Sequence, residues 1–221
     1  MRRLLLVIAG LAAAAAVGAG AARATNECRG LMVCVPVAGP WVLTGSSAQV
    51  QYQLSCPKNF IVAGLDAELS VRGIDVGFVG ALGSPVNPGI TTTRDAVFLG
   101  RLVRGRTPAA SFRPHIGCVP ASGGGQRTPT AYHAYAPGKP VDRRVLQVAA
   151  AHDRTVTARC PKGERLAGAT HAVGFFGAAP PTAAAARSVH VTRRLHGGAV
   201  TLVIRSHVPA VVQLSLLCAA R

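Results

Sequence analysis

The residues CPKGERLAG at 160–168 begin a segment that ends with Leu-Leu-Cys at 216–218. An earlier segment has the same outline, beginning with CPKNFIVAG at 56–64 and ending with Ile-Gly-Cys at 116–118. The two cysteines are 62 residues apart in the earlier segment and 58 in the later one. The motif VGF also stands inside both segments, at 76–78 and at 173–175. Three landmarks in the same order indicate a duplication.

The residues between these landmarks predict short β-strands. Polar and apolar residues alternate with period two at 49–55 and 154–159, which is typical of strands with one buried face. The stretches 189–193 and 200–205 flank His-Gly-Gly at 196–198 and predict a hairpin. Further strands are expected at 96–103 and 211–217, and only 182–186 suggests a helical turn. The sequence therefore predicts an all-β fold of two tandem small antiparallel β-sandwich or barrel-like repeats.

The first 24 residues have the features of an export signal. Two arginines precede an apolar run at 4–17, and Ala-Arg-Ala at 22–24 places small residues around a cleavage site. We expect cleavage after Ala24, giving a secreted or periplasmic protein of a bacterial envelope. The alternative is an uncleaved signal, in which case residues 4–22 are long enough to anchor the chain in a membrane.

The remaining chain divides at changes in composition. We expect no transmembrane span after cleavage, because no second run of about 20 apolar residues occurs. A Gly- and Pro-rich stretch separates the two repeats and is typical of a linker. The predicted units are a lead-in at 25–40, repeat one at 41–118, the linker at 119–144 and repeat two at 145–221.

All six cysteines follow the predicted cleavage site. An even number in an exported chain favours disulfides over metal ligation or a catalytic thiol. Closing a loop of about 60 residues stabilises a fold by roughly 4 kcal/mol in the chain-entropy model. The repeat symmetry predicts one disulfide in each repeat and a third in the lead-in: Cys56–Cys118, Cys160–Cys218 and Cys28–Cys34.

The later segment resembles a small β-domain common in exported proteins of high-GC bacteria. Cys-Pro-Lys-Gly at 160–163, Leu-Ala-Gly-Ala at 166–169 and Leu-Cys-Ala at 217–219 carry the resemblance. The earlier segment departs from it with Asn59 in place of glycine and with Gly117 before the closing cysteine. The resemblance implies a disulfide-closed β-domain and transfers no catalytic or binding residue.

No motif of a known enzyme class occurs in the sequence, which lacks G-x-S-x-G, H-E-x-x-H and a phosphate-binding loop. Asp66 and Glu68 share a strand face, but a glycosidase needs carboxylates on both sides of the sugar. We interpret this pair as solvated strand charges, and His152-Asp153 as a turn rather than part of a catalytic triad. We therefore expect neither catalysis nor a cofactor; the alternative is a secreted hydrolase-like enzyme with an unidentified site.

The histidines do not predict a metal site. Six of the seven follow residue 130, yet no H-x-H or H-x-x-x-H pair occurs among them. His190 and His207 are expected to approach each other across the predicted hairpin. Two histidines without a third ligand do not define a metal site, so none is expected.

Arginine supplies most of the positive charge, with 21 arginines among the 24 basic residues. Removing residues 1–24 removes three arginines and no acidic residue, which lowers the formal charge from +16 to +13. Guanidinium groups make bidentate contacts with phosphate, carboxylate or sulfate. The alternative cause of the charge is the codon composition of a high-GC genome.

Thr192 and Arg194 on one strand, and Thr201 and Arg205 on the next, alternate with core positions and predict a basic, hydroxyl-bearing face. The expected partners are anionic envelope polymers or surfaces. Specific nucleic-acid binding is not expected, because basic and aromatic residues are not interleaved, and the oligomeric state stays open. The predicted anion-binding residues are Arg101, Arg104, Arg194 and Arg205.

Overall fold

The computed structural model describes residues 25–44, 49–80, 94–103, 107, 109–121 and 141–220. The predicted export signal, Arg104 and residues 122–140 of the predicted linker lie outside them. The first half of the described chain has strands β1 (Val35–Ala38), β2 (Trp41–Leu43), β3 (Val50–Ser55), β4 (Phe60–Leu69), β5 (Ile74–Gly80), β6 (Asp95–Leu102) and β7 (Ser111–Pro120). The second half has β8 (Val141–Ala150), β9 (Arg154–Arg159), β10 (Glu164–Phe175), α1 (Ala183–Arg187), β11 (Val189–His196), β12 (Ala199–Ser206) and β13 (Ala210–Ala220).

The described strands form three antiparallel sheets, which confirms the predicted all-β fold. The large sheet has seven strands in the order β1-β7-β2-β10-β13-β8, with β4 also paired to β7. The first small sheet has the order β3-β6-β5 and the second small sheet β9-β12-β11. The helix α1 has five residues, and no helix in the described chain is long and apolar enough to cross a membrane.

Each small sheet packs against one part of the large sheet. In the first half, Tyr52 and Phe98 of the first small sheet share a core with Phe112 and Ile116 of β7. In the second half, the second small sheet and the large sheet enclose a separate core. Alternation along each strand produces this layering, because every second side chain points to the same face. The core of the second half includes Val200, Leu202, Ile204, Val212, Leu214 and Leu216.

The two halves have the same strand connectivity. The central strands β6 and β12 each pair with the strand that precedes the CPK cysteine and with the strand before them in the chain. The turn after CPK holds Asn59 at φ 68° and Gly163 at φ 90°. Asparagine is the residue other than glycine that most readily takes this left-handed conformation, which explains why it replaces glycine in the first half.

The register of the closing strands also corresponds between halves. Val62 pairs with Cys118 and Leu166 pairs with Cys218, and in each case a bulge separates that position from the glycine two residues later. The three disulfides join Cys28 to Cys34, Cys56 to Cys118 and Cys160 to Cys218, the pairs that the sequence predicts.

The VGF motifs, in contrast, lie in strands that do not correspond. Phe78 is in β5, where its ring meets Phe98 edge to face at 5.1 Å. Phe175 ends β10 and pairs with Trp41 of β2. Gly174 beside it lies so close to Pro40 that a β-carbon would be 2.6 Å from the proline ring. The prediction that VGF marks equivalent positions is therefore wrong, since its two copies meet different packing demands.

The halves are joined rather than separate. The strand β2 pairs with β7 on one side and with β10 on the other, so one sheet spans both halves. Strand β7 continues to Pro120 and β8 begins at Val141, so strands occupy both ends of the predicted linker. The sequence predicts two separate tandem sandwiches, whereas in the structure the two sandwiches share the large sheet.

A buried carboxamide makes a second joint between the halves. Gln213 of β13 is 1% exposed. Its Oε1 accepts a hydrogen bond from the backbone N–H of Gln53 at 2.7 Å, and its Nε2 donates to the backbone carbonyl of Gln53 at 2.9 Å. Strand β3 is an edge of the first small sheet, so these backbone groups have no ladder partner there. The side chain of Gln213 therefore supplies the hydrogen bonds that a neighbouring strand would otherwise make with Gln53.

The N-terminal segment packs on a pair of glycines. Gly64 and Gly117 face each other across β4 and β7, and the Glu27 carbonyl lies directly over them. A β-carbon on Gly117 would be 2.1 Å from that carbonyl oxygen. In the second half, Leu217 stands in the position of Gly117 and lies against Gly168. The departure from the resemblance pattern at Gly117 makes room for this segment.

Replacing Gln213 with leucine is expected to destabilise the protein by about 1–3 kcal/mol, because the Gln53 amide and carbonyl lose their partner. Urea unfolding measures the change. The control is Gln147→Leu, because Gln147 pairs with Gln213 in the register but is exposed on β8. Equal effects of the two substitutions would contradict the role given to Gln213.

Replacing Gly117 with alanine is expected to cost about 1–3 kcal/mol, because the new methyl group displaces the Glu27 backbone. Gly77→Ala is the matched control, since a β-carbon on Gly77 meets no atom within 4 Å. Thermal unfolding of the two variants should separate them. A Gly117→Ala protein as stable as the control would show that the N-terminal segment does not need the space above Gly64 and Gly117.

Candidate anion-binding surface

The outer face of the second small sheet carries the predicted basic residues. Along β12, Leu202 and Ile204 are fully buried, so Thr201, Val203 and Arg205 point to the opposite, outward side. The neighbouring strand β11 places His190, Thr192 and Arg194 on the same side, because partners in an antiparallel ladder share a face. Strand β9 adds Thr157 and Arg159. We call this surface the basic face; its residues are Thr157, Arg159, His190, Thr192, Arg194, Thr201, Val203 and Arg205.

The register sets the spacing of the charges. Arg205 stands opposite His190, and Arg194 stands opposite Thr201, four residues further along β11. At a rise of about 3.3 Å per residue, the two ends of this set lie about 13 Å apart along the strand. Thr192 and Val203 pair between them. The arrangement is therefore a short row of donors with an arginine near each end.

A cavity of about 260 Å³, partly open to solvent, lies between these side chains and is lined by His190, Thr192, Arg194, Val203 and Arg205. Beside it, the hydroxyl oxygens of Thr157 and Thr201 are 3.0 Å apart, so one donates to the other. All the polar groups named here donate hydrogen bonds in at least one state. The cavity is thus suited to an acceptor such as phosphate, sulfate or carboxylate.

The arginines of the basic face are not neutralised by neighbours. Within the described residues, no carboxylate lies within 4.0 Å of Arg194 or Arg205, and both side chains are exposed. Other arginines of the protein do have such partners: Arg113 with Glu68, and Arg144 with Asp142 and Glu164. The charge of the basic face is therefore available to a ligand.

The two predicted residues of the first half do not join this surface. Arg101 lies on β6 opposite Asp75, and the two form an ion pair at 3.3 Å with both side chains more than half exposed. Arg101 therefore belongs to the first small sheet, and the Asp75 carboxylate already neutralises its charge. Arg104 lies outside the described residues. The structure thus brings together Arg194 and Arg205 and places Arg101 elsewhere.

The predicted approach of His190 and His207 is not what the register gives. His190 pairs with Arg205, and His207 lies beyond the end of β12. Among the described residues, one cluster has the spacing of metal ligands: Cys160, Glu164 and Cys218. Its two cysteines form a disulfide, so their sulfurs are not thiolate ligands. The cluster offers no argument for a metal.

The acidic pair on β4 differs from its prediction. Asp66 and Glu68 are partly buried rather than solvated, and Asp66 Oδ2 accepts a hydrogen bond from the Asn26 amide at 2.7 Å. Glu68 Oε1 lies 2.9 Å from Nε2 of His115, a buried histidine. The prediction of solvated charges is wrong because the N-terminal segment covers this strand. Its burial left no sequence signal except the paired glycines at 64 and 117.

The surroundings of one histidine in the second half disfavour its charged form. Burial lowers the pKa of His171 below its ordinary value, and the nearby Arg193 lowers that pKa further. The Nδ1 atom of His171 is buried without a hydrogen-bond partner. Arg193 is tied to the same strand, because it donates to the Ala169 carbonyl. Protonating His171 therefore opposes the folded state.

No protein-family model matches the chain, and comparison with curated proteins finds no match. The interpretation of the basic face consequently depends on its own geometry and charge. The features that define it are two arginines with no ion-pair partner among the described residues, the Thr192 hydroxyl between them and a cavity that is partly open to solvent.

The lowered pKa of His171 predicts acid sensitivity. The unfolded chain binds the proton more readily than the folded one, so the free energy of unfolding falls as pH drops below about 6.5. His171→Gln should reduce this fall, measured as the difference in urea unfolding between about pH 7.5 and pH 5. The control is the exposed His152→Gln. An unchanged pH difference in His171→Gln would contradict the assignment.

Proposed function

We propose that this protein is an exported, non-catalytic binding module of the cell envelope that holds anionic polymers or surfaces on its basic face. The three disulfides favour an oxidising compartment outside the cytoplasm. The finer location, secreted or periplasmic in a bacterium, follows from the signal-like residues at 1–24, which lie outside the described chain. Retention of those residues would instead tether the same module to a membrane.

The observation that carries the proposal is the pair Arg194 and Arg205 around one open cavity. Both guanidinium groups lack an ion-pair partner among the described residues, and Thr192 supplies a hydroxyl between them. Arginine binds phosphate and carboxylate through two parallel hydrogen bonds, which gives orientation as well as attraction. A formal charge of +13 after signal removal adds long-range attraction to any anionic surface.

The shape of the basic face favours a polymer over a small molecule. A small ligand is usually held in a pocket that buries most of its surface, whereas this cavity is partly open to solvent and its arginines are exposed. An anionic polymer can contact both arginines at once, since they are about 13 Å apart along the strand. The expected binding is modest in affinity and sensitive to salt, because the contacts are solvent-exposed.

The proposal that the protein is not an enzyme is supported by how its acidic residues are used. Asp66, which shares a strand face with Glu68, accepts a hydrogen bond from the N-terminal segment, and Glu68 lies against a buried histidine. Asp153 accepts from the Ser206 backbone amide at 3.1 Å and so joins the turn before β9 to the end of β12. These contacts give the carboxylates structural partners, and no observation favours the alternative of a hydrolase.

We also propose that the chain arose by duplication of an exported β-domain of the kind the sequence resembles. The common strand connectivity, the left-handed turn at Asn59 and Gly163, and the equivalent bulges support this origin. The lead-in strands β1 and β2 pair with β7 as β8 pairs with β13. On this view the lead-in fills the place that β8 fills in the second half.

Neutralising the basic face tests the proposed function. The oxidised chain 25–221 is titrated with fluorescent polyphosphate and polyglutamate, and with isolated bacterial envelopes, at salt from about 0.05 to 0.5 M. Arg194→Gln/Arg205→Gln should weaken binding about tenfold at low salt, since exposed charge pairs contribute up to about 1 kcal/mol each. The salt dependence should become shallower as well.

The matched control is Arg29→Gln/Arg165→Gln, which removes two exposed arginines that lie outside the basic face. Its net charge equals that of Arg194→Gln/Arg205→Gln. Equal weakening in both double variants would mean that total charge, not the basic face, determines binding. Binding that ignores salt would contradict the electrostatic mechanism. Absence of binding to all three probes would refute the proposed function and leave codon composition as the cause of the charge.

A further inference from the structure

Thr25 lies between two carboxylates at the edge of the first half. Its Oγ1 donates to Oε1 of Glu27 at 3.0 Å. The amide of the next residue, Asn26, donates to Oδ2 of Asp66 at 2.7 Å. The backbone at 25–27 is thus fixed from both sides, and its position is reinforced by the Glu27 carbonyl over Gly64 and Gly117.

One of these carboxylates is short of a partner. Glu27 is 5% exposed, and its Oε2 is buried with no hydrogen-bond partner among the described residues. The nearest titratable cation is His115, whose Nδ1 is 3.7 Å from the other oxygen of Glu27. A buried carboxylate oxygen without a donor is costly, so the site calls for a further donor or cation.

A cavity of about 390 Å³ adjoins Thr25 and is otherwise lined by residues 66–72 of β4 and the turn after that strand. The charged groups around Thr25 and this cavity are three carboxylates facing two arginines and a histidine. Glu68 already contacts both His115 and Arg113, which leaves Glu27 and Asp66 beside Thr25. These charged groups are Glu27, Asp66, Glu68, Arg72, Arg113 and His115.

We propose that the carboxylates of Glu27 and Asp66, together with the cavity beside Asp66, form the binding site for the protein's own α-ammonium group at Thr25, created when the leader is removed after Ala24. Hydrolysis of the Ala24–Thr25 peptide bond consumes one water, leaves a carboxyl group on Ala24 and leaves an amine on Thr25. That amine takes a proton near neutral pH. The neutral amide nitrogen of the precursor thereby becomes a cation with three donors.

Backbone dimensions place the new charge within range of its acceptors. Consecutive backbone nitrogens are about 3 to 4 Å apart, so the Thr25 nitrogen lies within about 7 Å of Oδ2 of Asp66. The Thr25 hydroxyl already touches Glu27, so the same residue can direct its ammonium to either carboxylate by rotating about its own backbone. Leader removal would therefore complete the first half electrostatically rather than merely release the protein.

The test begins with the protein exported under its own leader. Mass spectrometry of the exported chain should give Thr25 as the first residue. The α-amino group is then titrated by NMR after labelling by reductive methylation. Its pKa should lie about 0.5 to 1 unit above that of the same group in the unfolded chain, because opposite charges within a few ångströms favour the charged form.

Two altered proteins separate the binding site from ordinary chain-end behaviour. Asp66→Asn should lower the pKa of the α-amino group toward its value in the unfolded chain, with Glu27 retaining part of the effect, whereas the control Asp75→Asn, which removes a carboxylate paired with Arg101, should leave that pKa unchanged. A chain with one glycine inserted before Thr25 keeps every side chain and moves only the amine. Its thermal midpoint should fall by about 2 to 4 °C, the shift that about 1 kcal/mol produces in a chain of this size.

The inference is overturned if the exported chain begins at another residue, if its α-amino group titrates as in the unfolded chain, or if the glycine insertion leaves the midpoint unchanged. Should Asp66→Asn fail to fold, the glycine-extended chain still decides the question. These outcomes are independent of polymer binding at the basic face, which lies on the second half.

Discussion

Each half of this protein depends on one covalent bond between its two layers. Cys56 directly follows β3 of the first small sheet and joins Cys118 in the large sheet, and Cys160 joins Cys218 in the same way. A three-stranded sheet needs a hydrophobic face to be stable, and in each half the large sheet covers that face. The bond holds the two layers face to face around a small core, contributing on the order of 4 kcal/mol through the unfolded chain. The strand registers, turns and bulges of each half are arranged around these two closures.

The same unit presents its outer face in two different ways. In the first half, Val97 on the outward side of the small sheet is fully buried, and the edge strand β3 is bound to the second half through Gln213. In the second half, the corresponding position Thr157 is exposed and Thr201 is partly exposed, and arginines stand on either side of them. The outward side is therefore closed at this position in one half and accessible to a ligand in the other. This difference in burial gives the basic face its proposed role.

The sequence predicted those features that arise from local pattern. Alternation located β3 and β9, the expected strands at 96–103 and 211–217 correspond to β6 and β13, and the turn with glycines 197 and 198, both at positive φ, located the hairpin of β11 and β12. The repeat symmetry predicted the disulfides. The joint between halves could not be predicted in this way, because the three residues of β2 are too short for a periodic signal and a buried glutamine resembles an exposed one in sequence. The VGF motif gave a wrong prediction for a related reason, since three shared residues do not show which strand they occupy.

The basic face was predicted in part. Alternation correctly placed Arg194 and Arg205 on one surface, whereas Arg101 lies on another sheet in an ion pair with Asp75.

The position of Gln213 has a consequence for the order in which the protein is made. It lies in β13, the last strand of the described chain, yet it supplies hydrogen bonds to β3, near the beginning. Strand β2 likewise pairs with β10, which is in the second half. A ribosome synthesises the amino-terminal half first, so β2 and β3 at first lack these partners. Both strands have their partners only after β13 has been synthesised. Full closure of the first half is thus deferred until β13 has been synthesised.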